Sequence, residues 1–345
     1  MHMADALLSP GVAAAMYVAS GTAAAVSLSA MRKSDEDAQK LPVMAVSAAL
    51  VFAGQMINYT IPGTGSSGHL CGGMLLSAIL GPQAGFLSMI VILAIQCLFF
   101  ADGGLLALGA NIWNMAFYGC FVGYYLIWRP ILRSGKLSLR TRIVLASLLG
   151  CILTLQLGAF SVVLETTISG ITELPFGAFA ALMQPIHLAI GAVEGLITSA
   201  VLLFLASARP ELLRDADGTA AGGKLSLKAT VAVLAAAALV VGGGLSLAAS
   251  SNPDGLEWAL FGNSEAGYSE NMALDEEDFG VTSSAADTAA SIQEATSFLP
   301  DYAFAESDSA AGTTVSGVVG SAMVAGAAIL IALAGGFYRK KKMSH

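Results

Sequence analysis

The stretch GAFAALMQPIHLAIGAVEGLITSAVLLFLAS, residues 177–207, decides the class of this protein. It contains one imidazole (His187), one carboxylate (Glu194) and no Lys or Arg. A helix of this length rises about 46 Å, whereas the hydrocarbon core of a bilayer is about 30 Å thick. Inside lipid, the backbone polar groups must pair within the segment, which favours a helix. We therefore predict an all-α, polytopic membrane helix bundle.

The composition of the whole chain agrees with this class. Of 345 residues, 56% are hydrophobic and only 12% are charged, whereas an ordinary soluble domain carries about 25% charged residues. Mean hydropathy is +0.73. We expect the chain to contact membrane lipid and to have no nucleic-acid partner. The cysteines lie in apolar segments without a Cys-x-x-Cys pair, so we interpret them as small core residues: Cys71, Cys97, Cys120 and Cys151.

Apolar runs that could cross a bilayer recur along the chain. A span needs about 20 mainly apolar residues, and we count nine candidates. The third is short and rich in glycine, which leaves the boundaries of the third and fourth spans open. The nine candidates are 10–31, 42–61, 68–82, 84–101, 105–128, 143–164, 177–207, 228–249 and 316–338.

The basic residues predict the orientation of these spans. All sixteen Lys and Arg residues fall in four clusters, at 32–40, 129–142, 209–228 and 339–342. Loops rich in Lys and Arg stay in the cytoplasm. If the N-terminus lies outside and all nine spans cross, every cluster faces the cytoplasm. We therefore predict an N-terminus outside the cell, with no cleaved signal peptide before it, since Met1 to Pro10 lack a basic leader region.

A change of composition at 208–226 predicts a cytoplasmic linker. It divides a seven-span core, 1–207, from a two-span appendage, 228–345, with 208–227 as the linker. The segment 250–314 then lies outside, with thirteen Asp or Glu residues and no Lys or Arg. Its middle, notably 281–297, is rich in Ala and Ser, which favours a poorly ordered, solvated loop. A second role, raising the local concentration of cations, stays open.

The first two residues form a chelating group if Met1 keeps a free amine. A methionine before a bulky residue such as His2 normally escapes trimming. The amine, the amide nitrogen of His2 and the imidazole of His2 then close two adjacent chelate rings around one metal. Planar nitrogen coordination suits Ni(II), Cu(II) or Co(II) better than Mg, Ca or tetrahedral Zn. The alternative is a histidine that falls by chance in a frayed terminus.

His69 offers the missing fourth nitrogen. It follows a Gly-rich stretch, 63–68, on the side of the membrane predicted for the N-terminus. Glycines let the backbone approach closely, and a histidine at membrane depth is a functional hypothesis by default. The ligand set predicted from chemistry is therefore Met1, His2 and His69.

Several motifs, in order along residues 1–128, match one known family. They are Met1-His2-Met3, Leu7-Leu8-Ser9-Pro10, Ser67-Gly68-His69-Leu70, Leu80-Gly81-Pro82, Gln96-Cys97-Leu98-Phe99 and, as the longest, DGGLLALGANIWNM at 102–115. The sequence resembles the CbiM/NikM substrate-specific components of energy-coupling factor transporters for cobalt and nickel. The match continues more weakly through His187 and Glu194 to Thr198.

The resemblance implies a site and partners. In that family, the N-terminal amine, the second-residue amide and imidazole, and the His of the Ser-Gly-His motif hold the metal in a square plane; these positions are Met1, His2 and His69. It also implies ATP-driven import through a transmembrane coupling protein and two ATPase subunits in a prokaryotic plasma membrane. The chain itself would bind no ATP.

Four polar residues match the family motifs without being ligands. We expect Ser67, Asp102, Asn111 and Asn114 to support the site by hydrogen bonds; ordinary bonding between helices is the alternative. His187 and Glu194 are seven residues apart on one helix face, where they could pair or relay protons. Their role is left open.

The appendage resembles the PDGLE, or N-type, accessory component, which appears fused here. Its signature is Pro253-Asp254-Gly255-Leu256-Glu257-Trp258, and the role implied is help in loading metal. From the residues alone, the motif could be a turn that leads into an interfacial segment with Trp258 at headgroup level.

Three rival interpretations can be tested. The stretch 218–224 fits the start of a phosphate-binding loop, but Leu225 replaces the required Ser or Thr and no strand precedes it. Ser67 in Gly-x-Ser-Gly, with His187, could form the dyad of an intramembrane serine protease. A metal receptor that does not transport is the third. The sequence does not separate nickel from cobalt, although planar nitrogen ligands slightly favour nickel.

Overall fold

A computed structural model of the chain describes residues 1–33, 36–37, 41–215, 223–264, 267–268, 271–272, 274, 279–304, 311–334 and 338–339. Most of the phosphate-loop-like stretch 218–224, and His345, therefore lie outside the described residues. The helices are α1 (Pro10–Lys33), α2 (Leu41–Gln55), α3 (Gly73–Leu80), α4 (Pro82–Phe100), α5 (Leu108–Asn111), α6 (Arg129–Arg133), α7 (Leu139–Ile168), α8 (Phe176–Ala208), α9 (Leu227–Gly243), α10 (Gly255–Phe261), α11 (Ser284–Thr296) and α12 (Ala311–Ala334).

The remaining regular elements are few. Strand β1 (Glu36–Asp37) pairs in parallel with β4 (Tyr338–Arg339), and β2 (Tyr59–Ile61) pairs antiparallel with β3 (Ser66–Gly68). Helices α5 and α6 are the two ends of one continuous helix, whose middle part, Ile112–Trp128, has the wider turns of a π-helix. The described structure is thus mostly helical, as predicted.

Within the described residues, five helices are long and apolar enough to cross a membrane: α1, α4, α7, α8 and α12. Helices α2 and α9 are apolar but shorter, and the π-helical part of the fifth span has 17 residues. These elements support a polytopic helical membrane protein. The number of crossings and the side of the N-terminus stay predictions.

The third predicted span, 68–82, is not one long helix. Its helix α3 has eight residues, all of them buried, and rises only about 12 Å. Gly72 precedes it with φ +82° and Gly81 ends it with φ +87°, a conformation that favours glycine. Residues 69–72 are therefore non-helical backbone inside the bundle, and the prediction of a complete spanning helix is wrong here.

This non-helical backbone has hydrogen-bond partners on neighbouring helices. Glu194 of α8 accepts hydrogen bonds from the amides of Cys71 (3.0 Å) and Gly72 (2.9 Å). Gln55 of α2 donates to the carbonyl of Cys71 (2.8 Å), and Gln96 of α4 donates to Gln55 (2.9 Å). Irregular backbone is tolerated at membrane depth only where protein satisfies its polar groups. Glu194 therefore anchors the segment that carries His69.

Charged residues gather at one end of the bundle. Arg133 of α6 pairs with Asp215 in the linker, and the hydroxyl of Tyr124 donates to the same carboxylate (2.6 Å). Trp128 donates through Nε1 to the carbonyl of Arg214 (2.9 Å). The linker thus returns to the core at the end where α1 finishes and α4 begins. The N-terminal segment lies at the opposite end of α1.

Two parts of the acidic segment, Gly255–Phe261 and Ser284–Thr296, form helices that the sequence does not predict. Asp254 caps α10 and Ser283 caps α11. From α11, Gln293 donates to the carbonyls of Cys97 (2.9 Å) and Gly103 (2.7 Å). Polar side chains that bond to core carbonyls dock this Ala- and Ser-rich helix, although its sequence has little apolar surface. The prediction of a poorly ordered loop at 281–297 is therefore wrong.

Small residues pack the appendage helices against each other and against the core. A Cβ on Gly317 of α12 would lie 1.9 Å from the carbonyl oxygen of Gly242 in α9, and one on Gly320 would lie 2.2 Å from the ring of Phe52 in α2. Helices that touch at glycine can approach until their backbones meet. The appendage is thereby fixed to α2 and α4.

Candidate metal centre

The N-terminal segment enters the bundle instead of fraying into solvent. Met1, Met3 and Leu7 are buried. Asn111 brackets Met3: its Oδ1 accepts from the Met3 amide (2.7 Å), and its Nδ2 donates to the Met3 carbonyl (3.1 Å). The amide of Gly104 donates to the same carbonyl (2.9 Å). The predicted supporting residue Asn111 thus fixes the path of the chain next to residue 2.

The loop at 102–107 fits closely around this segment. The Oδ1 atom of Asp5 accepts a hydrogen bond from the amide of Ala107 (3.0 Å). A Cβ on Gly104 would lie 1.9 Å from that same oxygen. Only glycine lets the two stretches of backbone come so near.

A β-hairpin places His69. Gly63 and Gly65, with φ +77° and +75°, form the turn between β2 and β3. Gly68 packs against α8, where a Cβ on it would lie 2.6 Å from Cγ1 of Ile190. The imidazole that follows is 8% exposed, so the hairpin delivers His69 to the interior of the bundle.

The predicted ligand residues converge at the N-terminus. The amine nitrogen of Met1 lies 3.1 Å from Nε2 of His69. The rings of His2 and His69 stack, with 5.2 Å between centroids and 22° between planes. Two nitrogens bound about 2.0 Å from one metal at a right angle are about 2.8 Å apart. The amine and Nε2 of His69 are therefore spaced much like neighbouring corners of a square.

A carboxylate outside the predicted ligand set lies against the same two nitrogens. The Oδ2 atom of Asp254 is 2.5 Å from the Met1 amine and 3.7 Å from Nε2 of His69. A metal about 2.0 Å from both nitrogens would lie within about 4 Å of this oxygen, on whichever side of the pair it binds. The signal in the sequence is the aspartate of Pro253–Trp258, which falls on the predicted side of Met1 and His69.

The helix cap orients this carboxylate. The Oδ1 atom of Asp254 accepts from the amides of Leu256 (2.7 Å) and Glu257 (3.0 Å), and Glu257 accepts from the Asp254 amide (3.1 Å). This is the reciprocal capping box of a helix start. Because Oδ1 is held by the cap, Oδ2 is left to face the amine.

Burial and ion pairing act in opposite directions on the amine. Burial favours the neutral form, but the carboxylate of Asp254 outweighs it, so the pKa of the Met1 amine is raised above its ordinary 8.0. Burial would raise the pKa of Asp254, yet the ammonium and His69 hold it well below its ordinary 3.8. Without metal, the amine is therefore protonated at neutral pH.

His2 is paired through one ring nitrogen and free at the other. Its Nδ1 lies 3.1 Å from Oδ1 of Asp102, which also accepts, at Oδ2, from the hydroxyl of Tyr302 (2.5 Å). Burial lowers the pKa of His2 to about 4, although Asp102 acts in the opposite direction. The ring is therefore neutral at pH 7, with Nδ1 donating and a buried Nε2 that has no partner among the described residues.

Chelation by residues 1 and 2 would break the contact between Nδ1 of His2 and Asp102. Two adjoining rings from the amine, the amide and the imidazole can close only through Nδ1 of His2, the nitrogen nearer the backbone. In the structure that atom faces Asp102. His2 must therefore exchange this contact for the metal.

Asn114 and Ser67, which are also expected to support the site, make different contacts. Asn114 donates to Glu165 (2.8 Å) and to the sulfur of Met3 (3.6 Å). The hydroxyl of Ser67 donates to the carbonyl of Asn252 in the appendage (2.8 Å). Asn114 thus lies beside the N-terminal segment, whereas Ser67 joins the hairpin to the appendage.

The same contacts weaken the protease interpretation. The hydroxyl of Ser67 is committed to the carbonyls of Asn252 and Pro253. His187 donates through Nδ1 to the carbonyl of Met183 (2.8 Å). A serine–histidine dyad needs a hydrogen bond between those two side chains, and the structure gives each another partner. His187 and Glu194 do not pair either.

Side chains alone do not make a metal site in the described part of the chain. No group of three or more His, Cys, Asp or Glu residues there is arranged to hold an ion. The four cysteines are free and buried, as predicted.

Known proteins of metal transport are similar in sequence to this chain. Residues 2–212 match the family described as the cobalt uptake substrate-specific transmembrane region, CbiM, and residues 228–335 match the PDGLE domain. A putative fused nickel transport protein NikMN of Archaeoglobus fulgidus is 35% identical over 327 residues, 94% of this chain and 95% of that protein. The cobalt transport protein CbiM of Sorangium cellulosum is 32% identical over 214 residues, covering 62% of this chain and 94% of that protein.

Solved structures of relatives also match this chain. The crystal structure of a truncated transition metal transporter is 35% identical in sequence, with a TM-score of 0.52. The match covers 59% of this chain and 98% of that transporter. The chain therefore belongs to the CbiM family of substrate-specific membrane proteins of metal transport, with a fused PDGLE domain, and is a multi-pass membrane protein of a prokaryote.

Proposed function

We propose that this chain captures Ni(II) or Co(II) for an ATP-driven importer of the energy-coupling factor type. The metal is held in a square plane by the Met1 amine, the His2 amide nitrogen, the His2 imidazole and the His69 imidazole. The observation that carries this function is the 3.1 Å distance between the Met1 amine and Nε2 of His69. Residues 68 positions apart in sequence meet there, inside a membrane protein.

Binding exchanges protons for metal. The ammonium of Met1 loses one proton, the amide of His2 loses another, and one divalent ion enters. The resulting complex carries one net positive charge, equal to that of the ammonium it replaces. Asp254 therefore faces one positive charge both before and after loading, which avoids an uncompensated charge in a buried site.

The chain divides into a metal-capturing unit at 1–207, a cytoplasmic linker at 208–227 and an accessory unit at 228–345. The matches to two separate families at 2–212 and 228–335 support this division. In the accessory unit, Asp254 and Tyr302 reach the centre. The appendage thus assists loading by contacts to the residues that hold the metal.

Energy comes from partners. A transmembrane coupling protein and two ATPase subunits complete the importer, and this chain binds no ATP. Helix α1 is the most exposed of the five long apolar helices, and small residues at Ala15, Ala19 and Ala23 permit close helix contact. That face of α1 is the candidate docking surface for the coupling protein.

One additional residue before Met1 tests the metal site directly. The extension turns the amine into an ordinary amide and moves the free terminus away, so Ni(II) affinity should fall more than about 100-fold, since even lost supporting contacts cost about 10–100-fold. Isothermal titration of the purified chain measures it, and mass spectrometry verifies the terminus. A residue added after His345 is the matched control. Equal affinity in both extended chains would refute the site.

The identity of the metal needs a cellular measurement. Planar nitrogen coordination favours nickel slightly over cobalt, and the full-length relative from A. fulgidus is named for nickel. Uptake of each isotope by cells that carry the complete importer should show the higher rate for nickel. Faster cobalt uptake at equal concentration would reverse the assignment.

A further inference from the structure

A small cavity of about 10 Å³ lies beside the metal centre. Its walls include Met1 and His69 from the proposed plane, Asp254 from the appendage and His187 from α8. A cavity of this size holds about one water molecule. This small space therefore lies next to two of the proposed ligand residues, and His187, which has no part in the plane, also lines it.

His187 presents an unpaired acceptor to this space. The residue is 1% exposed. Its Nδ1 donates to the carbonyl of Met183 (2.8 Å), which leaves Nε2 as the nitrogen with the lone pair. Nε2 is buried without a hydrogen-bond partner in the described structure. A buried acceptor without a partner is costly, so the site calls for a donor.

Gly255 keeps that nitrogen open to the cavity. A Cβ on Gly255 would lie 3.1 Å from Cε1 and 3.4 Å from Nε2 of His187. The Cε1–Nε2 edge of the ring therefore faces the backbone next to Asp254. Any larger residue at 255 would crowd this edge.

The coordination geometry decides what a molecule in the cavity can do. Four nitrogens fill the square plane, so a further donor can reach the metal only along the perpendicular axis. We propose, building on that plane, that Nε2 of His187 holds a single water whose oxygen is the axial ligand of the captured metal. The water donates one hydrogen bond to Nε2 and directs a lone pair of its oxygen at the metal.

An axial water distinguishes the two candidate metals. In planar, low-spin Ni(II), the orbital along the axis is doubly occupied and repels a fifth donor. In low-spin Co(II), the same orbital holds one electron and accepts a fifth donor. His187 is therefore a positioning residue that stabilises Co(II) in the plane and leaves Ni(II) almost unaffected.

Electron paramagnetic resonance of the Co(II)-loaded full chain tests this role. Under argon and in water enriched in oxygen-17, the low-spin Co(II) signal should broaden, because its unpaired electron points at the axial oxygen. His187→Leu should remove the broadening, and His187→Gln, which keeps an acceptor, should retain it. Ser199→Ala, a buried polar replacement on the same helix whose hydroxyl bonds only to Gly195 in the structure, is the matched control.

Binding constants give a second readout. His187→Leu should lower Co(II) affinity about tenfold or more, with Ni(II) affinity changed less than about threefold. Equal losses for both metals, or oxygen-17 broadening that survives in His187→Leu, would overturn the inference. So would triplet splitting from an axial nitrogen, or a low-spin signal without any axial broadening. Absence of low-spin Co(II) altogether would instead contradict the proposed nitrogen plane.

Discussion

The N-terminal segment and the appendage reach the same centre by different means. Residues 1–8 are held by the main chain and by Asn111 of the core, and they bring nitrogen atoms. The appendage is held by side chains such as Gln293 that bond to core carbonyls, and it brings oxygen atoms, from Asp254 and Tyr302. The first region thus supplies three of the four proposed ligand nitrogens, beside His69 of the core, and the second supplies charge and hydrogen bonds around them.

This difference has an energetic meaning. A ligand nitrogen cannot be replaced without losing a bond to the metal, whereas a surrounding carboxylate changes the balance between proton and metal. Damage to the first region should therefore remove binding, and damage to the second should shift its dependence on conditions. The variants that follow test this contrast.

His69→Ala should have the largest effect, because it removes a ligand from the core. We expect Ni(II) affinity to fall more than about 100-fold, beyond the range of about 10–100-fold typical of supporting residues. Titration calorimetry measures the loss, and thermal unfolding without metal verifies the fold. His345→Ala, another single-histidine change, should bind normally. Comparable affinity in the two variants would break the contrast between proposed ligands and the groups that surround them.

Asn111→Leu should come next, since it leaves every ligand present but releases their support. Both hydrogen bonds to Met3 are lost, so affinity should fall about 10–100-fold. Asn114→Leu should cost less, because Asn114 contacts only the sulfur of Met3 in that segment. If Asn114→Leu proved the more damaging, the assignment of Asn111 as the main support would be wrong.

The dependence of metal affinity on pH reports which groups lose a proton when metal binds. The pKa of the amine is raised by Asp254, so below that pKa each displaced proton weakens metal binding about tenfold per pH unit. Affinity should therefore fall as pH falls from 8 to 6, roughly. The ring of His2, with a pKa of about 4, adds nothing in this range.

Asp254→Asn should reduce the slope of the logarithm of metal affinity against pH by about one, the contribution of one displaced proton. Asparagine can still cap α10, but it no longer stabilises the ammonium, so the amine pKa falls. Glu257→Gln, in the same turn, removes a neighbouring charge and leaves Asp254 against the amine; its slope should match the wild type. Parallel slopes for Asp254→Asn and the wild type would show that the ion pair is absent in solution.

Gln293→Ala should have the smallest effect on binding. It removes two hydrogen bonds that dock α11 on α4, each worth about 1 kcal/mol, and leaves the ligands untouched. Hydrogen exchange should quicken in residues 284–296, with metal affinity changed less than about fivefold. A loss as large as that of His69→Ala would mean that the appendage is needed to form the nitrogen plane.

Much of the architecture is visible in the sequence because periodicity and charge are local. Runs such as 177–207 predict helices, and α8 extends just beyond both ends of that run. The short length of α3 is not predicted from the sequence, because it is set by Gly72, Gly81 and the partners of residues 69–72. Those partners, Glu194 and Gln55, are distant in sequence. Composition also misjudges α11, since polar contacts with the core stabilise it.

The residues of the site also divide into those that the sequence predicts and those that it does not. Met1, His2 and His69 follow from the chemistry of a free terminus and from a recognisable motif. Asp254 does not, because its contact with the amine spans 253 residues and its helix cap is a sufficient local reason for an aspartate. The unpaired nitrogen of His187 is equally invisible, since a hydrogen-bond vacancy exists only in three dimensions.

The buried terminus also orders events during synthesis. Met1 leaves the ribosome first, yet Asn111, which fixes the segment, follows more than a hundred residues later, and Asp254 follows after 253. At roughly 5–20 residues per second, the terminus waits about 13–50 s for its last partner. Any enzymatic change at the amine has to occur in that interval, before the terminus is enclosed. The same burial that places the amine beside His69 and Asp254 thus sets a deadline for any processing of the terminus.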